Sequence, residues 1–312
     1  MPSASEIRAR INGITETKKI TDAMYMISSA KMRKALREHD RTTPYFQELT
    51  KTIDDLWHHL PNTENRYLEF SEDDKPHKSR GILLITSDKG LAGSYNQTAI
   101  RECEAYMKRH PNTTLFIIGR VGRRYFANKK IGFVKDFLYS SERPELLDAR
   151  RISTELLEYY NDGQLDEINV IYTDYCGSAS AECRTIHVLP LKRTNFDLTS
   201  TETPHADTEN REFFPSPDEV LRGIIPSYVT GFIYGCLVES YCSEQQARML
   251  AMKGASDNAQ KILKELKIRY NEVRQAAITE EMIEISAGAM AQKHKRQAAN
   301  HAEMPEGGTT HE

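Results

Sequence analysis

The chain has 312 residues, 39% of them hydrophobic and 28% charged, with a formal net charge of −3. That length holds about two average domains and a sizeable core. The charge balance excludes a strongly basic nucleic-acid binder, and aromatics at 8% lean toward long helices. Cys103, Cys176, Cys183, Cys236 and Cys242 form no C-x-x-C, and the histidines supply no H-x-x-x-H. Neither a disulfide framework nor a metal site is expected, and a reducing compartment fits. The opening MPSASEIRARING lacks the apolar core of a secretory signal.

From Ser3 to Leu60 the only glycine is Gly13 and the only proline Pro44. Ser3 or Ser5 caps a helix start, with Glu6 in the first turn favoured by the helix dipole. Ile7, Ile11 and Ile14 stand at helical spacing, as do Ile20, Met24 and Ile27. One long helix is expected, disturbed near Pro44. Its first 37 residues carry a net charge of +5. The basic run Lys31 to Arg37 has no interleaved aromatics, so it reads as a solvated helix face or a face for an acidic protein partner. Lys31 and Arg33 are its candidate contacts.

Between Arg80 and Lys192 the texture changes. GILLIT (81–86), TLFIIG (114–119), INVIYT (168–173) and TIHVLPL (185–191) are apolar runs of strand length. Helical stretches lie between them, at Asn96–Arg109, Gly122–Lys130 and Pro144–Asp162. Strands alternating with helices predict an α/β domain with a mostly parallel sheet. The first strand runs into SDKGLAGSYN, a glycine-containing turn ahead of a helix. Gly90 and Gly93 fit neither G-x-x-x-x-G-K-[ST] nor G-x-G-x-x-G, so a tight strand-to-helix turn is the reading. Lys89, a cation on a rigid turn, is well placed to meet an acidic partner. Cys176 and Cys183 flank a Gly-Ser stretch, but no neighbouring feature lowers either pKa, and unreactive thiols are expected.

From Asp218 the helical texture returns. Leu221, Ile224, Tyr228, Gly231, Gly235, Val238, Cys242, Gln245, Met249, Met252, Ser256, Ala259, Leu263, Leu266, Tyr270, Val273 and Ala277 follow in unbroken alternating steps of three and four. That is a coiled-coil seam, and its small residues permit close approach. The uncharged stretch 223–238 is shorter than the ~20 residues of a membrane span and contains Pro226, so a buried helix is expected. Glu272 to Ala291 carries polar groups on every face and ends in a slender apolar AGAMA, which suits an apolar sleeve. The expected organisation is a helix over 1–60, an inserted α/β domain over 80–195 and a helix over 215–291. The two helices fold back as an antiparallel coiled coil. A disordered tail is expected over 292–312, since it holds no large aliphatic residue.

Both ends are similar to a known family. ARINGITETKKITDAMYMISSAKMRKA and EQQARMLAMKGASDNAQKILKELKIRYNEVRQAAITEEMIEISAGAMA closely resemble the γ subunit of F-type ATP synthase. SDKGLAGSYN is similar to that family's S-D-R-G-L-C-G loop, with Lys89 in the basic position and Ala92 in place of cysteine. The resemblance spans residues 3–291. It implies a non-catalytic rotor shaft with a Rossmann-like inserted domain, without cofactor, nucleotide or nucleic acid of its own. The implied partners are the α and β subunits of the catalytic hexamer, the ε subunit and the membrane ring of c subunits. The implied location is the cytoplasmic face of the bacterial plasma membrane. It implies that Met24 and Lys89 lie near the β-subunit levers and that Arg274 and Gln275 bond a β-subunit loop. Arg248, Thr279 and Glu281 match further coupling positions, and Phe213 and Phe214 fall near the membrane ring. No chloroplast-type insertion is present, so thiol regulation is not implied. The competing readings are an enzyme with a nucleotide-binding α/β domain and a coiled-coil arm, and a chromosome- or filament-associated coiled coil. The first would carry a catalytic constellation; the second would carry charged e and g positions instead of small seam residues.

Overall fold

A computed structural model of the chain describes residues 3–59, 65–69, 78–175, 177, 182–192 and 213–302. The first helix, α1, spans Ala4–His59. It opens on a reciprocal cap: the Glu6 N–H donates to Ser3 Oγ (3.2 Å) and the Ser3 N–H to Glu6 Oε2 (3.1 Å). This satisfies two of the donors that a helix start leaves open. The last helix, α5, spans Pro217–Ala302. Ser216 caps it, its Oγ accepting the Glu219 N–H. Pro217 stands where its missing N–H costs nothing, and Asp218 and Glu219 complement the dipole. Both helices run through an internal proline, Pro44 and Pro226. Pro226 lies well inside α5, which begins at Pro217.

The chain divides into two compact units, one from Met1–Asp22 with Gly254–Glu312, the other Ala23–Lys253. The cut falls inside both long helices, not at the edges of the α/β segment. The reason is packing: over 23–59 and 217–253 the helices build the core of the sheet domain, whereas their outer ends pack only on each other.

In the smaller unit, Ser256, Ala259, Leu263 and Leu266 are buried, and Tyr270 and Val273 half-buried, in steps of three and four. On α1 the matching stripe is Ile7, Ile11, Ile14, Lys18 and Thr21. Ser256 Oγ donates to Asp22 Oδ1 at 2.5 Å, and Lys18 pairs with the same carboxylate at 2.8 Å. The stripe expected through Ile20, Met24 and Ile27 is corrected: Ile20 is 60% and Ile27 54% exposed, and Met24 is half-buried. The buried positions are Thr21 and Ser28, which keep the strict seven-residue interval from Ile7 and Ile14. Small hydroxyl side chains on the seam let the backbones approach, and the larger apolar neighbours are left outside.

The larger unit holds a four-stranded sheet. Its strands are β2 (Arg80–Ile85), β3 (Thr113–Ile118), β4 (Glu167–Asp174) and β5 (Glu182–Leu189), in the order β3-β2-β4-β5. The first three are parallel and β5 is antiparallel to β4. Two short strands, β1 (Leu68–Glu69) and β6 (Leu191–Lys192), pair beside it. Every residue of β2 is buried, the pattern of a strand covered on both faces. On one face Ile82, Leu84, Leu115, Ile117 and Ile171 meet α2 (Tyr95–Arg109) and α3 (Arg120–Asn128). On the other, Leu83, Ile85, Phe116, Ile168 and Val170 meet α4 (Leu146–Asn161), the end of α1 and the start of α5. The stretch of α5 long and apolar enough to cross a membrane belongs here, and half of it is buried inside the protein. Ile225, Val229, Ile233 and Leu237 supply that buried face.

Within this unit α1 and α5 are antiparallel. The Phe46 ring lies on Gly231, where a Cβ would come within 1.9 Å of it, and His39 stacks on Tyr234 at 6.3 Å beside Gly235. Numbers rise along α1 as they fall along α5.

The expected disordered tail over 292–312 is corrected in part, because α5 continues through Ala302. Residues 292–302 are rich in Ala, Gln and Lys and contain neither glycine nor proline. Such a segment extends an existing helix without a new nucleation cost. Residues 303–312 lie outside the described residues.

Gly119 joins β3 to α3 at φ +89°, and a Cβ there would lie 2.1 Å from the Thr86 carbonyl oxygen. Thr86 Oγ1 in turn donates to the Ile118 carbonyl and accepts the Gly122 N–H. Backbone therefore packs on backbone where α3 meets the end of β2. Gly119→Ala is expected to cost about 3 kcal/mol or more from the clash and the left-handed φ together. A lowered urea midpoint on equilibrium unfolding of the chain checks this.

Candidate functional site

The turn after β2 stands at the C-terminal end of the sheet, where the strand order reverses between β2 and β4. Open α/β sheets bind ligands in that crevice. Here the turn is fastened from four sides. The Ser87 N–H donates to Asn96 Oδ1 (2.9 Å), and Ser87 Oγ donates to the Lys89 carbonyl (2.7 Å). The Asp88 carboxylate, 3% exposed, accepts Ser140 Oγ (2.6 Å) and the N–H groups of Ser141 (2.8 Å) and Arg120 (2.9 Å). Burial alone would raise the Asp88 pKa, but these donors and the Arg120 charge hold it below the usual carboxylate range. Lys89 Nζ meets Glu142 Oε1 at 2.7 Å, and both side chains stay largely in solvent.

The fourth fastening comes from α5. Arg248 Nη2 donates to two successive carbonyls, Lys89 (3.1 Å) and Gly90 (3.0 Å). Its Nη1 lies 2.7 Å from Glu244 Oε1, with only 9% and 6% of the two side chains exposed. Burial pushes the Glu244 carboxyl above its ordinary value even with Arg248 beside it. Nearby, Ser240 Oγ accepts the Thr173 N–H, and Ser243 Oγ donates to the Asp174 carbonyl (3.0 Å). Thus α5 lies across the crevice. The cleft that remains, about 370 Å³, is lined by Ser94, Thr98, Thr173, Ser243, Gln246, Leu250 and their neighbours and carries no cation. The α3 N-terminus is occupied by the chain's own Asp88. The cleft beside the turn is thus lined without a cation, and the one cation of the turn, Lys89, points away into solvent.

Besides Lys89 on its turn, half-buried Met24 on α1 and Arg248, the sequence-derived contact residues fall into three groups. Lys31 and Arg33 are exposed on α1. Lys31 lines a groove of about 520 Å³ with Lys34, Arg143, Tyr234 and Tyr241. Arg33 bonds Ser29 on its own helix. Phe213 packs on the core, whereas Phe214 is 92% exposed. Arg274, Gln275, Thr279 and Glu281 are exposed on a part of α5 where every described side chain from Arg274 to Lys293 is exposed. The large apolar residues Ile278, Met282, Ile283, Ile285 and Met290 are in the open there as well. Arg248 differs from all of these, being turned inward onto the Lys89 turn. Sequence reasoning missed Asp88, Ser140, Ser141 and Glu244. The E-x-x-x-R spacing of Glu244 and Arg248 was a legible signal; the Asp88 partners, 52 and 53 residues away, had none.

Cys183 is pushed up to about 12 by burial and by Glu102, a poor nucleophile at neutral pH. Its sequence-level partner Cys176 lies outside the described residues. Among the described residues no group of three or more His, Cys, Asp or Glu is arranged to hold a metal.

A sheet domain whose ligand crevice is crossed by its own helix, joined to a helix end that stands unaccompanied, defines a subunit that works against other chains. The family model described as ATP synthase matches residues 3–291. The chain is 39% identical over 291 residues to the ATP synthase gamma chain of Caldanaerobacter subterraneus subsp. tengcongensis, covering 91% of this chain and 98% of that one. It is 32% identical to the sodium ion specific ATP synthase gamma chain of Acetobacterium woodii, covering 93% and 98%. The chain belongs to the ATP synthase gamma chain family and is the central-stalk rotor subunit of that enzyme complex. Its fold is shared with a chain of the Euglena gracilis mitochondrial ATP synthase (TM-score 0.61, 16% identity, 99% and 98% covered). It is also shared with a chain of the Tetrahymena thermophila central stalk (TM-score 0.53, 22% identity, 76% and 99% covered).

Asp88→Ala would leave Ser140, Ser141 and the Arg120 N–H without their acceptor, at an expected cost of about 3 kcal/mol. Because the folded pKa is depressed, this stabilisation is fully present above the unfolded value of ~3.9 and fades as pH falls below it. Urea midpoints of wild type and variant should lie well apart at neutral pH and converge in acid.

Proposed function

We propose that the chain itself catalyses nothing and acts as the turning shaft of the enzyme, passing torque between a membrane ring of c subunits and the α and β subunits that hold nucleotide. The observation that carries this reading is the end of α5. Over Arg274–Lys293 charged, polar and large apolar side chains are exposed together. A helix with Ile278, Met282, Ile283 and Ile285 all in water lacks the partner its apolar face requires. A ring of other chains closing around it supplies that partner, and a slender AGAMA segment, in which Met290 is the one long side chain, turns within the ring.

In this reading Arg274 and Gln275, with Thr279 and Glu281, meet loops of the β subunits. Lys89, Lys31 and Arg33 meet acidic β levers, with Met24 beside them. Exposed Phe214 and its neighbour Phe213 stand at the contact with the membrane ring, and the ε subunit binds the sheet domain. The complex sits at the cytoplasmic face of the plasma membrane through its membrane sector. The exposed cations suit a rotor: each screened contact contributes about 0.2–1 kcal/mol, enough to set a preferred angle and too little to stop rotation. The Lys89–Glu142 pair is of this strength, so Lys89 can change partner during a turn. The tail beyond Ala291 is a passive end in this scheme; a brake would show as a faster ATPase when the chain is cut after Ala291.

Two measurements test the proposal. Calorimetric titration of the purified chain with ATP should give no binding in the micromolar range, and micromolar binding would argue for an enzyme. Replacing Arg274 and Gln275 together by alanine should slow ATP hydrolysis of the assembled enzyme by about tenfold, the loss of one or two hydrogen bonds made at a partner. The helicity of the isolated variant should stay unchanged, since neither residue touches a core. Wild-type turnover in that variant would remove these residues from the contact.

A further inference from the structure

We propose that Arg248 is a positioning residue that acts through the Ser87–Gly93 turn, fixing the backbone from which Lys89 is presented. The proposal rests on the reading of Lys89 as a partner contact and removes Arg248 itself from the contacting surface. The geometry is specific. One guanidinium nitrogen bonds both the Lys89 and the Gly90 carbonyls, so it fixes the peptide planes on either side of Gly90. The next residue, Leu91, has φ +64°, a left-handed conformation that a leucine holds only when its surroundings impose it. The Lys89 carbonyl points inward to α5 while its side chain is 64% exposed. Glu244, one helical turn before Arg248, holds the other end of the guanidinium at 2.7 Å. Arg248 is 7% and Glu244 5% exposed, so neither side chain offers a surface to a second chain.

A single side chain thus links the shaft helix to the outward cation with no intervening residue. Any movement of α5 at Glu244–Arg248 is passed to the Lys89 carbonyl directly. The other fastenings of the turn come from the sheet domain: Asp88 to residues 120, 140 and 141, and Ser87 to Asn96. Arg248 is the fastening that belongs to the helix. A lysine cannot replace it, because a point charge does not present two donors along a planar fork while a third holds Glu244.

The test is a double-mutant cycle in the assembled enzyme, with hydrogen exchange on the isolated full chain. Arg248→Ala and Lys89→Ala should each slow ATP hydrolysis several-fold, and the double variant should be no slower than the slower single one. Arg248→Lys should recover less than half of the loss. Amide exchange at 89–93 should quicken at least tenfold in Arg248→Ala, while amides at 256–266 keep their protection. If Arg248→Ala assembles poorly, Glu244→Gln takes its place in the cycle: it keeps the guanidinium and removes its charged anchor. Additive losses would overturn the proposal, since Arg248 would then act at a contact of its own. Unchanged exchange at 89–93 would overturn it too. Quickened exchange with a wild-type rate for Lys89→Ala would overturn the partner reading of Lys89, and the proposal with it, while leaving the clamp in place.

Discussion

Neither α1 nor α5 can bury its apolar stripe without the other. This mutual dependence is the constraint from which the rest of the structure follows. A seam in steps of three and four presents a side chain to the partner helix at nearly constant angle, and small residues such as Ser256 and Ala259 on one side and Thr21 on the other keep the backbones close. Where the sheet joins them, the same helices are buried on more than one side: from Cys236 to Val238 and again from Ser240 to Gln245, α5 carries no exposed position. The sheet is therefore packed into the helix pair, and its ligand crevice is the place where it is packed.

Stiffness and adaptability are divided accordingly. The turn after β2 uses buried, short hydrogen bonds and an ion pair shielded from water, interactions that are costly to break. Its outward cation uses a solvent-exposed pair that is cheap to exchange. The far part of α5 lacks buried contacts over Arg274–Lys293, so its packing is left to other chains. A rotor needs both properties, rigidity where load passes through the chain and weak, repeated contacts where it slides.

Much of this was legible in the sequence. The heptad steps of α5 are buried or half-buried from Leu221 to Val273, because a strict period of 3.5 has few physical causes, whereas Ala277 at the end of the expected series is exposed. The α/β segment was legible from GILLIT, TLFIIG and INVIYT, whose continuous apolar runs reflect burial on both faces. Ile20 and Ile27 misled because hydrophobicity alone was followed on α1, whereas the seam selected the smaller Thr21 and Ser28 for their fit. The tail misled because absence of aliphatic residues argues against a core, not against the extension of a helix already formed. At the turn, the glycines announced a tight connection. The sequence did not disclose that Arg248 closes it, because a carbonyl acceptor leaves no trace in residue identity and 159 residues separate the partners.

The bond from Ser256 to Asp22 spans 234 residues of chain. During synthesis at roughly 5–20 residues per second, the beginning of α1 is complete about 10–50 s before the part of α5 that covers it leaves the ribosome. Through that interval Ile7, Ile11 and Ile14 have no mate. The central strands and α2 to α4 are finished first, so the sheet domain can condense while the opening helix is still a solitary, half-apolar segment. Closing so long a loop costs little more entropy than closing a short one. The delay itself is the hazard, because the apolar stripe of the first helix stays uncovered until its mate has been made.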